Sequence, residues 1–351
     1  MNADDNAVAR QPAPHRLTPK RATAWRTILV PIAWIALFAF LPLYAGKFEM
    51  QLATRIVIFA ILAMSLNLLV GVTGLVSLGH AAFYGTAAYV LARTSPQYEA
   101  VSILTSLPLA VAAAALLALV IGALSLRTSG VYFIMVTLAF GEMVYSVVHD
   151  TPLGGGSDGI YLYVKPVLAI AGTTLVDLDK PAQFYWFSLV AATLVYAFLR
   201  RLLRSPFGRA LAGIRVNEHR MRAVGYGTYF YKLAAFTLAG ALAGIAGYLN
   251  ASQFGFVNPE LLSWHTSGIV LMMVIVGGSS RLSGAVLGAA VFVLLQEFFS
   301  DEGMIGATAK HWQLLLGMTI VAVVLFAPRG LGALFERLPM FGRRGKANGD
   351  A

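Results

Sequence analysis

Long apolar runs recur throughout the chain and constrain its fold more than any other feature. A helix needs about 20 predominantly apolar residues to cross a bilayer. Ten runs of roughly this length lie at residues 27–45, 52–70, 71–92, 103–124, 131–148, 182–199, 232–250, 265–280, 282–299 and 312–327. The hydrocarbon region offers backbone polar groups no water, so runs of this length and number indicate helices rather than barrel strands. The sequence therefore predicts an all-α, polytopic integral membrane protein.

The composition supports this class and bounds the number of crossings. Only 12% of the 351 residues are charged and 58% are hydrophobic, whereas about a quarter of a soluble domain is charged. Runs 71–92 and 265–280 are the least regular, because one is rich in glycine and the other is short. We predict about ten spans, with about eight as the lower bound. The polar residues 1–26 are predicted to form a disordered tail, followed by an uncleaved first span.

The basic residues are distributed unevenly between the two sides that alternating spans define. With the N-terminus inside, 20 of the 26 Lys and Arg residues fall in inside segments, and six fall outside or near outer span ends. Basic residues accumulate at cytoplasmic span ends because they resist translocation. Both termini are therefore predicted to be cytoplasmic, including a tail at residues 329–351. The formal net charge of +10 then indicates orientation in a lipid bilayer and contact with anionic lipid, not nucleic acid.

One short segment, residues 200–231, is unusually rich in arginine. It holds seven arginines between two predicted spans: Arg200, Arg201, Arg204, Arg209, Arg215, Arg220 and Arg222. After Pro206 and Gly208 the segment predicts one or two short helices that end at Gly225. An apolar stripe on these helices is formed by Leu211, Ile214, Met221 and Val224. Two interpretations stay open: a solvated loop that marks the cytoplasmic side, or a helix that docks in a groove of a cytoplasmic partner.

Sequence signatures of enzymatic chemistry are weak. The chain contains no G-x-x-x-x-G-K-[ST] phosphate loop and no cysteine. Its six histidines have no partner at metal-ligand spacing. One G-x-S-x-G match, Gly155 to Gly159, lies in a glycine-rich loop rather than between the strand and helix that a hydrolase nucleophile requires. We therefore predict that the chain is not an enzyme and that it binds no metal or cofactor itself.

Polar residues within the apolar runs mark a candidate translocation path, because such groups are costly at membrane depth. Asn67, Ser77 and His80 cluster on one segment, and Glu142 falls in the middle of another span. Glycines interrupt two regions that are predicted to face each other across this path: Gly71, Gly74, Gly79 and Gly85, and Gly277, Gly278, Gly284 and Gly288. Interrupted helices are typical of such paths. In the alternative, Asn67 and His80 only bond neighbouring helices. Glu142 must be neutral, paired or hydrated.

Several separated stretches resemble, in the same order, the branched-chain amino-acid ABC transporter permeases of the LivM family. They are "SLNLLVGVTGLVSLGHAAFYGTAAYVLA" (65–92), "SGVYFIMVTLAFGEMVYSVV" (129–148), "GGGSDGI" (154–160), "SPFGRALAGIRVNEHRMRAVGYGTYFYKLAAFTLAGALAGIAG" (205–247) and "GIVLMMVIVGGSSRLSGAVLGAAV" (268–291). The resemblance covers about residues 55–328. It implies that residues 27–328 form the transmembrane domain of an ABC importer, with residues 200–231 as its cytoplasmic coupling loop.

The resemblance also implies partners and a location. A member of this family works with a homologous second permease, two cytoplasmic ATP-binding subunits and a periplasmic substrate-binding protein. ATP and Mg²⁺ are bound by the partner subunits, and the permease alternates access across a bacterial inner membrane. Branched-chain amino acids are the implied solutes. Asp158, which the topology places outside, is a weaker candidate for contact with the binding protein.

In such importers a cytoplasmic helix of the permease docks on the ATPase, and the resemblance places that helix at about residues 215–225. Arg209, Arg215, Asn217, Glu218, Ala223 and Gly225 are the candidate coupling residues. The chain departs from the family pattern where small or acidic residues are common, at His219, Arg220, Met221 and Arg222. A relative's ATPase is therefore not assumed to fit this surface.

Two alternatives to this interpretation remain open at the level of sequence. Related permeases carry urea or other small amides, so the solute is not fixed by the motifs. The same spans and polar residues also suit a secondary transporter or channel that works alone. A membrane-embedded enzyme would require clustered catalytic residues, which the sequence does not contain.

Overall fold

The computed structural model describes residues 46–170, 173–327 and 330–332. The predicted first span, residues 27–45, lies outside these ranges. So do the predicted tails, apart from residues 330–332. The α-helices of the described part are α1 (Lys47–Asn67), α2 (His80–Thr94), α3 (Ile103–Ser125), α4 (Val131–Asp150), α5 (Pro181–Arg204), α6 (Pro206–Val216), α7 (Glu218–Ala223), α8 (Thr228–Phe254), α9 (Trp264–Gly277), α10 (Leu282–Ser300), α11 (Glu302–Ile305) and α12 (Trp312–Phe326).

Seven helices of the described part are long and apolar enough to cross a membrane. They are Lys47–Thr73, Ile103–Ser125, Val131–Asp150, Pro181–Arg204, Thr228–Phe254, Leu282–Ser300 and Thr308–Phe326. A shorter apolar helix covers Trp264–Gly277. These helices confirm the predicted class of polytopic helical membrane protein. The count of about ten spans and the cytoplasmic side of the termini stay predictions.

The predicted helical span over residues 71–92 is wrong in its form. Helix α1 instead continues through a π-helical turn, Leu68–Thr73, and ends at Gly74, which is left-handed with φ 75°. Non-helical residues follow up to Gly79, and α2 begins only at His80. The reason is close packing, because a side chain at Gly79 would overlap the Thr137 carbonyl of α4. The glycines thus interrupt the segment, as predicted, but they displace the start of the helix by nine residues.

Helix α8 lies at the centre of the core, packed against α1, α2 and α3. Phe236 of α8 makes edge-to-face contacts with Phe83 of α2 and Phe133 of α4. Gly240 and Gly244 of α8 leave room for α3, since a side chain at either position would meet Ala118 or Ala114. This small-residue pair therefore brings two membrane helices into close contact.

Two small antiparallel sheets lie between the helices, an addition to the all-α prediction. Strand β1 (Ile160–Tyr161) pairs with β4 (Phe256–Val257), Ile160 opposite Val257. Strand β2 (Val167–Ile170) pairs with β3 (Thr173–Asp177), with an irregularity between Leu168 and Ala169. Both sheets belong to the connections beyond the helix ends, so they leave the membrane helices uninterrupted.

The bundle has two ends with different structures. The arginine end consists of α6, α7 and the first turn of α8, and Tyr229 there donates to the Ala123 carbonyl near the end of α3 (2.9 Å). The strand end consists of β1 and β4 together with the last turn of α8. Because α8 has 27 residues, the two ends lie about 40 Å apart. Arg215 and Asp158 are therefore at opposite ends, while the side of the membrane that each end faces stays a prediction.

Candidate functional site

Two interrupted regions meet near the arginine end. The first break is residues 68–79, between α1 and α2, and the second break is residues 277–281, between α9 and α10. A side chain at Gly71 would overlap the Ser279 carbonyl, so the two backbones are in direct contact. The Asn67 amide donates to the Arg281 carbonyl at 3.4 Å. The two glycine-rich regions therefore lie directly against each other, and the prediction that they face each other across a translocation path stays a prediction.

His80 is the first residue of α2 and is buried. Its Nε2 lies 2.8 Å from the Ser65 hydroxyl of α1. Because that hydroxyl already donates to the Leu62 carbonyl at 2.7 Å, the imidazole acts as the donor at Nε2. His80 Nδ1 is then an acceptor, and no described residue bonds to it. The contact with Ser65 agrees with the helix-bonding alternative, whereas the unpaired Nδ1 is not explained by it.

Asn67 and Ser77, like His80, each have a buried polar atom that no described residue bonds to. Both are buried, and within the described ranges neither Asn67 Oδ1 nor Ser77 Oγ has a hydrogen-bond partner. Most buried polar side-chain atoms in proteins are paired, so each exception calls for a reason. Three such atoms therefore flank or occupy the first break, the region that the sequence analysis selected.

Glu142 lies on α4, half-buried and close to the first break. Its Oε1 accepts from the Trp264 amide at 3.0 Å. Trp264 is the first residue of α9, whose leading amides have no acceptor within the helix. A carboxylate is also favourable at the positive end of a helix dipole. Of the three predicted states, Glu142 is paired. The neighbouring Gly141 packs on Gly79, so Glu142 lies on a helix that is packed against the first break.

Two hydroxyl residues that the sequence analysis missed hold the start of α2. The Ser267 hydroxyl of α9 accepts from the Ala81 amide at 2.8 Å. The Thr137 hydroxyl of α4 accepts from the Leu78 amide at 3.4 Å. They satisfy backbone donors where a helix begins among membrane helices. The only sequence signal was a single hydroxyl within an apolar run, which is common in membrane helices and therefore carries little information.

A pocket of about 300 Å³ opens beside the first break at the arginine end. Its walls come from the residues that follow α1 and from the start of α4: Gly74, Leu75, Val76, Gly130, Val131, Phe133 and Ile134. The lining is apolar. The pocket therefore offers space for an apolar side chain next to the buried polar residues of the first break.

The arginine end contains two short helices, as predicted. Helix α6 begins with the Ser205 hydroxyl accepting from the Gly208 amide at 3.4 Å. Helix α7 begins with Asn217 Oδ1 accepting from the Arg220 amide at 2.9 Å. Helix α7 ends at Gly225, which has φ 94°. The Gly225 amide donates to the Arg222 carbonyl at 2.9 Å, and the next amide reaches back to Met221 at 3.1 Å. This pair of bonds is the Schellman ending that glycine allows, and it confirms Gly225 as the predicted stop.

Three of the four residues of the predicted apolar stripe are wrong as a docking surface. Leu211 and Ile214 are buried against the chain itself, and Met221 packs on Gly213, whose side-chain position is 2.9 Å from the Met221 sulfur. The stripe faces inward because α6 lies along the end of the bundle, against α5 and α8. Of the stripe, only Val224 is exposed (69%); the other exposed apolar residues at this end are Val216 (86%), Phe230 and Ala223.

Glu218 binds within the chain. Its Oε1 lies 2.8 Å from Lys232 Nζ and 2.6 Å from Arg222 Nη2, and it accepts from the Thr228 hydroxyl at 2.9 Å. Burial by itself would raise the pKa of Glu218, but the hydrogen bonds from Lys232, Arg222 and Thr228 lower the pKa to about 2. Glu218 is therefore an ionised carboxylate at neutral pH. Because Lys232 and Thr228 belong to α8, the carboxylate ties α7 to the central helix.

The remaining candidate residues separate into two groups. Arg215 donates from Nη1 to the Gly71 carbonyl in the first break. Arg209 is exposed and donates to the Arg204 carbonyl at 3.3 Å, within its own segment. Asp158 is exposed at the strand end, where it accepts from the Ser157 hydroxyl at 3.3 Å. The structure thus brings Arg215 together with the first break, and it keeps Arg209 and Asp158 apart from that region.

These features define a class: a polytopic helical membrane protein with interrupted helices and a helical loop packed against them. The sequence model described as "Branched-chain amino acid transport system / permease component" matches residues 50–324. The chain therefore belongs to the branched-chain amino-acid transport permease family, whose members are transport subunits and not enzymes.

Curated relatives agree with this assignment. The proteins named "High-affinity branched-chain amino acid transport system permease protein LivM" from Salmonella typhimurium and Escherichia coli are each 31% identical over 323 residues, 87% of this chain and 73% of theirs. The "Autoinducer 2 import system permease protein LsrC" of Salmonella paratyphi B is 29% identical over 164 residues, 44% of each chain. No solved structure gives a significant match.

Proposed function

We propose that this chain is one of two permease subunits of an ATP-driven importer in a bacterial inner membrane. It alternates access for branched-chain amino acids, which an external binding protein delivers at the strand end. Two cytoplasmic subunits bind ATP and Mg²⁺ and dock at the arginine end. A homologous permease completes the path. The family assignment supports this proposal, and so do the relatives named for the transport of branched-chain amino acids.

The observation that carries the ATP-driven mechanism is the exposed surface of the arginine end. Val216, Val224 and Phe230 are large apolar side chains that are mostly exposed there. Val216 and Val224 lie outside the helices that can span a membrane, and Phe230 is in the first turn of α8. Exposed apolar groups that cluster outside the bilayer favour a protein partner. A secondary transporter or channel that works alone has no use for such a surface, so the surface favours an importer with docked ATPases.

The solute is proposed from the relatives and from the pocket beside the first break. Two relatives are named for branched-chain amino acids, and a further relative is named for autoinducer 2 import. The pocket of about 300 Å³ is half open and lined mainly by apolar residues, so an aliphatic side chain is compatible with it. Uptake of labelled leucine, valine and urea by a strain that lacks the gene tests this. Loss of urea uptake alone would replace the amino acids with an amide.

We place the translocation path beside the first break, where Asn67, Ser77, His80 and Glu142 lie. The unpaired atoms of Asn67, Ser77 and His80 at membrane depth support this proposal. The bonds from His80 to Ser65 and from Asn67 to Arg281 favour the alternative, in which these residues only fix helices. The two roles are compatible if these hydrogen bonds hold the first break in the conformation described here and are broken in another conformation.

Docking is tested by co-purification of the ATPase subunits with the permease. Val216→Asp places a charge on the proposed contact surface and is expected to lower the co-purified ATPase at least about tenfold, a change of about 1.4 kcal/mol. Tyr163→Asp at the strand end is the matched control, because Tyr163 is also an exposed large side chain. If the wild-type chain purifies without an ATPase and transports alone in liposomes, the secondary-transporter alternative is correct.

The orientation is tested with single cysteines, which can be introduced freely because the native chain has none. Asp158→Cys and Ala223→Cys are both at exposed positions, one at each end of the bundle. In intact spheroplasts an impermeant thiol reagent is expected to label Asp158→Cys, and Ala223→Cys only after permeabilisation. The opposite pattern would invert the proposed topology.

A further inference from the structure

Arg215 connects the arginine end to the membrane helices at one point. It lies one residue before the end of α6, and its guanidinium donates to the Gly71 carbonyl within the π-helical turn of α1. The stem of the side chain passes Gly74, whose side-chain position is 3.3 Å from Arg215 Cγ. The side chain therefore spans from the loop outside the bundle to the first break.

The Gly71 carbonyl is an acceptor that α1 itself does not satisfy. The last carbonyls of a helix have no following amide within the helix. At this end the Leu69 carbonyl takes both the Leu75 amide (3.1 Å) and the Thr73 hydroxyl (2.7 Å), which leaves the Gly71 carbonyl for another donor. A cation is also the favourable partner at a helix C-terminus, because the helix dipole is negative there. Arg215 supplies both the donor and the charge.

Gly71 is also the contact to the second break. Its Cα faces the Ser279 carbonyl so closely that no side chain fits between them. One residue therefore separates the Arg215 guanidinium from the turn between α9 and α10. Asn67, one helical turn earlier, reaches the same turn at the Arg281 carbonyl. A displacement of Arg215 thus acts on both interrupted regions.

The other side of this connection is the exposed face of α7. Helix α7 is held to α6 by the contact between Met221 and Gly213. It is held to α8 by the Glu218 carboxylate. A force applied to Val224, the residue after α7, can therefore reach the helices by two routes: through Glu218 to the rigid central helix, or through α6 and Arg215 to the two breaks.

We infer that Arg215 is a positioning residue that transmits motion of the docked ATPase to the two helix breaks, by holding the Gly71 carbonyl. This inference rests on the proposed function. It assigns to Arg215 a role in coupling, separate from docking and from solute binding. A purely structural role as a helix cap would change stability but leave coupling unchanged in the folded complex.

The test uses the full complex in proteoliposomes with its binding protein. The variants are Arg215→Met, which keeps the stem but has no donor, Arg215→Gln, which is polar but shorter, and Arg215→Lys, which keeps a donor and the charge. Arg201→Gln is the matched control, since Arg201 is an exposed arginine at the end of α5. The measurements are co-purified ATPase, basal ATPase activity, its stimulation by loaded binding protein, and solute taken up per ATP hydrolysed.

Arg215→Met and Arg215→Gln are expected to keep normal ATPase binding and basal activity, and to lose stimulation and uptake per ATP by at least about fivefold, the lower range of coupling between two sites. Arg215→Lys should retain most of the stimulation, and Arg201→Gln all of it. If Arg215→Met gives too little protein to measure, the inference is decided by the difference in stimulation between Arg215→Lys and Arg215→Gln.

Equal stimulation in the Gln and Lys variants overturns the inference, as does wild-type coupling in Arg215→Met. Loss of co-purified ATPase in Arg215→Met also overturns it, because Arg215 would then be a docking contact. A wild-type complex that shows no stimulation by the binding protein would instead overturn the proposed function, and the inference with it.

Discussion

The break between α1 and α2 and the break between α9 and α10 both turn at a glycine with positive φ, 75° at Gly74 and 96° at Gly278. Beyond that they are packed differently. The second break is closed by its own two helices, because side chains at Gly277 and Gly288 would overlap the Gly284 and Met273 carbonyls, whereas Gly71 and Gly79 of the first break pack on carbonyls of other segments. In the first break and at its two edges, three buried polar atoms have no hydrogen-bond partner among the described residues: Asn67 Oδ1, Ser77 Oγ and His80 Nδ1.

This difference indicates which break can move. Helices α9 and α10, packed backbone on backbone, leave little room for rearrangement between them, because protein interiors are close-packed. Among residues 264–300, all of which the structure describes, no buried side-chain atom lacks a hydrogen-bond partner. The first break has three such atoms and a contact to the arginine end through Arg215. We therefore interpret the second break, which Arg215 reaches only through Gly71, as a fixed support that keeps its internal packing when it is displaced, and the first break as the moving part that rearranges internally.

The largest expected effect is at the fixed support. Gly288→Val would force its Cβ into the Met273 carbonyl and against the Gly277 amide. Such backbone overlap is expected to cost more than about 3 kcal/mol and to abolish folded protein. The measurement is the yield of monodisperse protein in detergent. Gly268→Val is the matched control on α9, because nothing lies within 4 Å of its side-chain position. Normal yield of Gly288→Val would show that the second break is not tightly packed.

The next effect concerns the moving part. His80→Leu removes the bond to Ser65 and the unpaired Nδ1 while filling a similar volume. If the first break moves during transport, uptake should fall by about tenfold, equivalent to about 1.4 kcal/mol, with normal yield and ATPase binding. Lower yield with unchanged uptake per molecule would instead support the helix-fixing role.

Two serines provide a matched comparison for this prediction. Ser77 lies in the first break and Ser125 ends α3, and both are fully buried hydroxyls without a partner in the described ranges. Ser77→Ala is expected to reduce uptake and Ser125→Ala to leave it unchanged. Equal effects would mean that the unpaired hydroxyl matters for packing and not for its place in the break.

A smaller effect is expected where the arginine end is tied to α8, away from both breaks. Glu218→Gln leaves the Lys232 ammonium without its carboxylate. Stability should fall by about 1 kcal/mol, because the pair is partly exposed, and coupling should fall less than in Arg215→Met. The pKa of Glu218 is lowered from 4.5 to about 2. The stability that the ionised Glu218 carboxylate contributes is therefore complete above pH 4.5 and is lost only as the pH falls towards 2.

The direction of this pH dependence is checked by measuring stimulated ATPase activity from about pH 5.5 to about pH 8. Neither the wild type nor Glu218→Gln should show a titration at residue 218 in that range, and the variant should be lower throughout by a constant factor. A wild-type decline between about pH 7 and about pH 5.5 that is absent from Glu218→Gln would show that the carboxylate titrates there, and that its ion pairs are weaker than the geometry indicates.

The sequence predicted the features that depend on nearby residues. Gly225 carries a local signal for the end of α7, and it was found in that role. The apolar run from residue 52 similarly predicted a membrane helix, although its start at Lys47 was missed. Capping and hydrophobic length depend on a few consecutive residues, which explains why these predictions were correct.

The sequence did not predict contacts between distant segments. Arg215 and Gly71 are 144 positions apart, and no local pattern shows that a loop arginine reaches a membrane carbonyl. Glu218 was assigned to a partner surface, but its carboxylate bonds to Lys232 on the next helix. The start of α2 was misplaced because the first break is set by packing of Gly79 on Thr137, which depends on tertiary structure.

The smallest expected effect on uptake is at Ser267, where the fixed support touches the moving part. Its hydroxyl on α9 accepts from the Ala81 amide of α2 at 2.8 Å. Ser267→Ala leaves that buried amide without this acceptor, which costs about 1–2 kcal/mol and should lower the melting temperature in detergent by about 2–4 °C per kcal/mol. If α2 is released from this bond during transport, the variant loses stability only in the conformation described here, so uptake should stay within about twofold of wild type. Ser263→Ala at the start of α9 is the control, because that hydroxyl caps its own helix at Thr266 and does not join the two breaks. A large loss of uptake in Ser267→Ala, with the melting temperature unchanged, would mean that the bond persists throughout transport and that α2 and α9 move as one body.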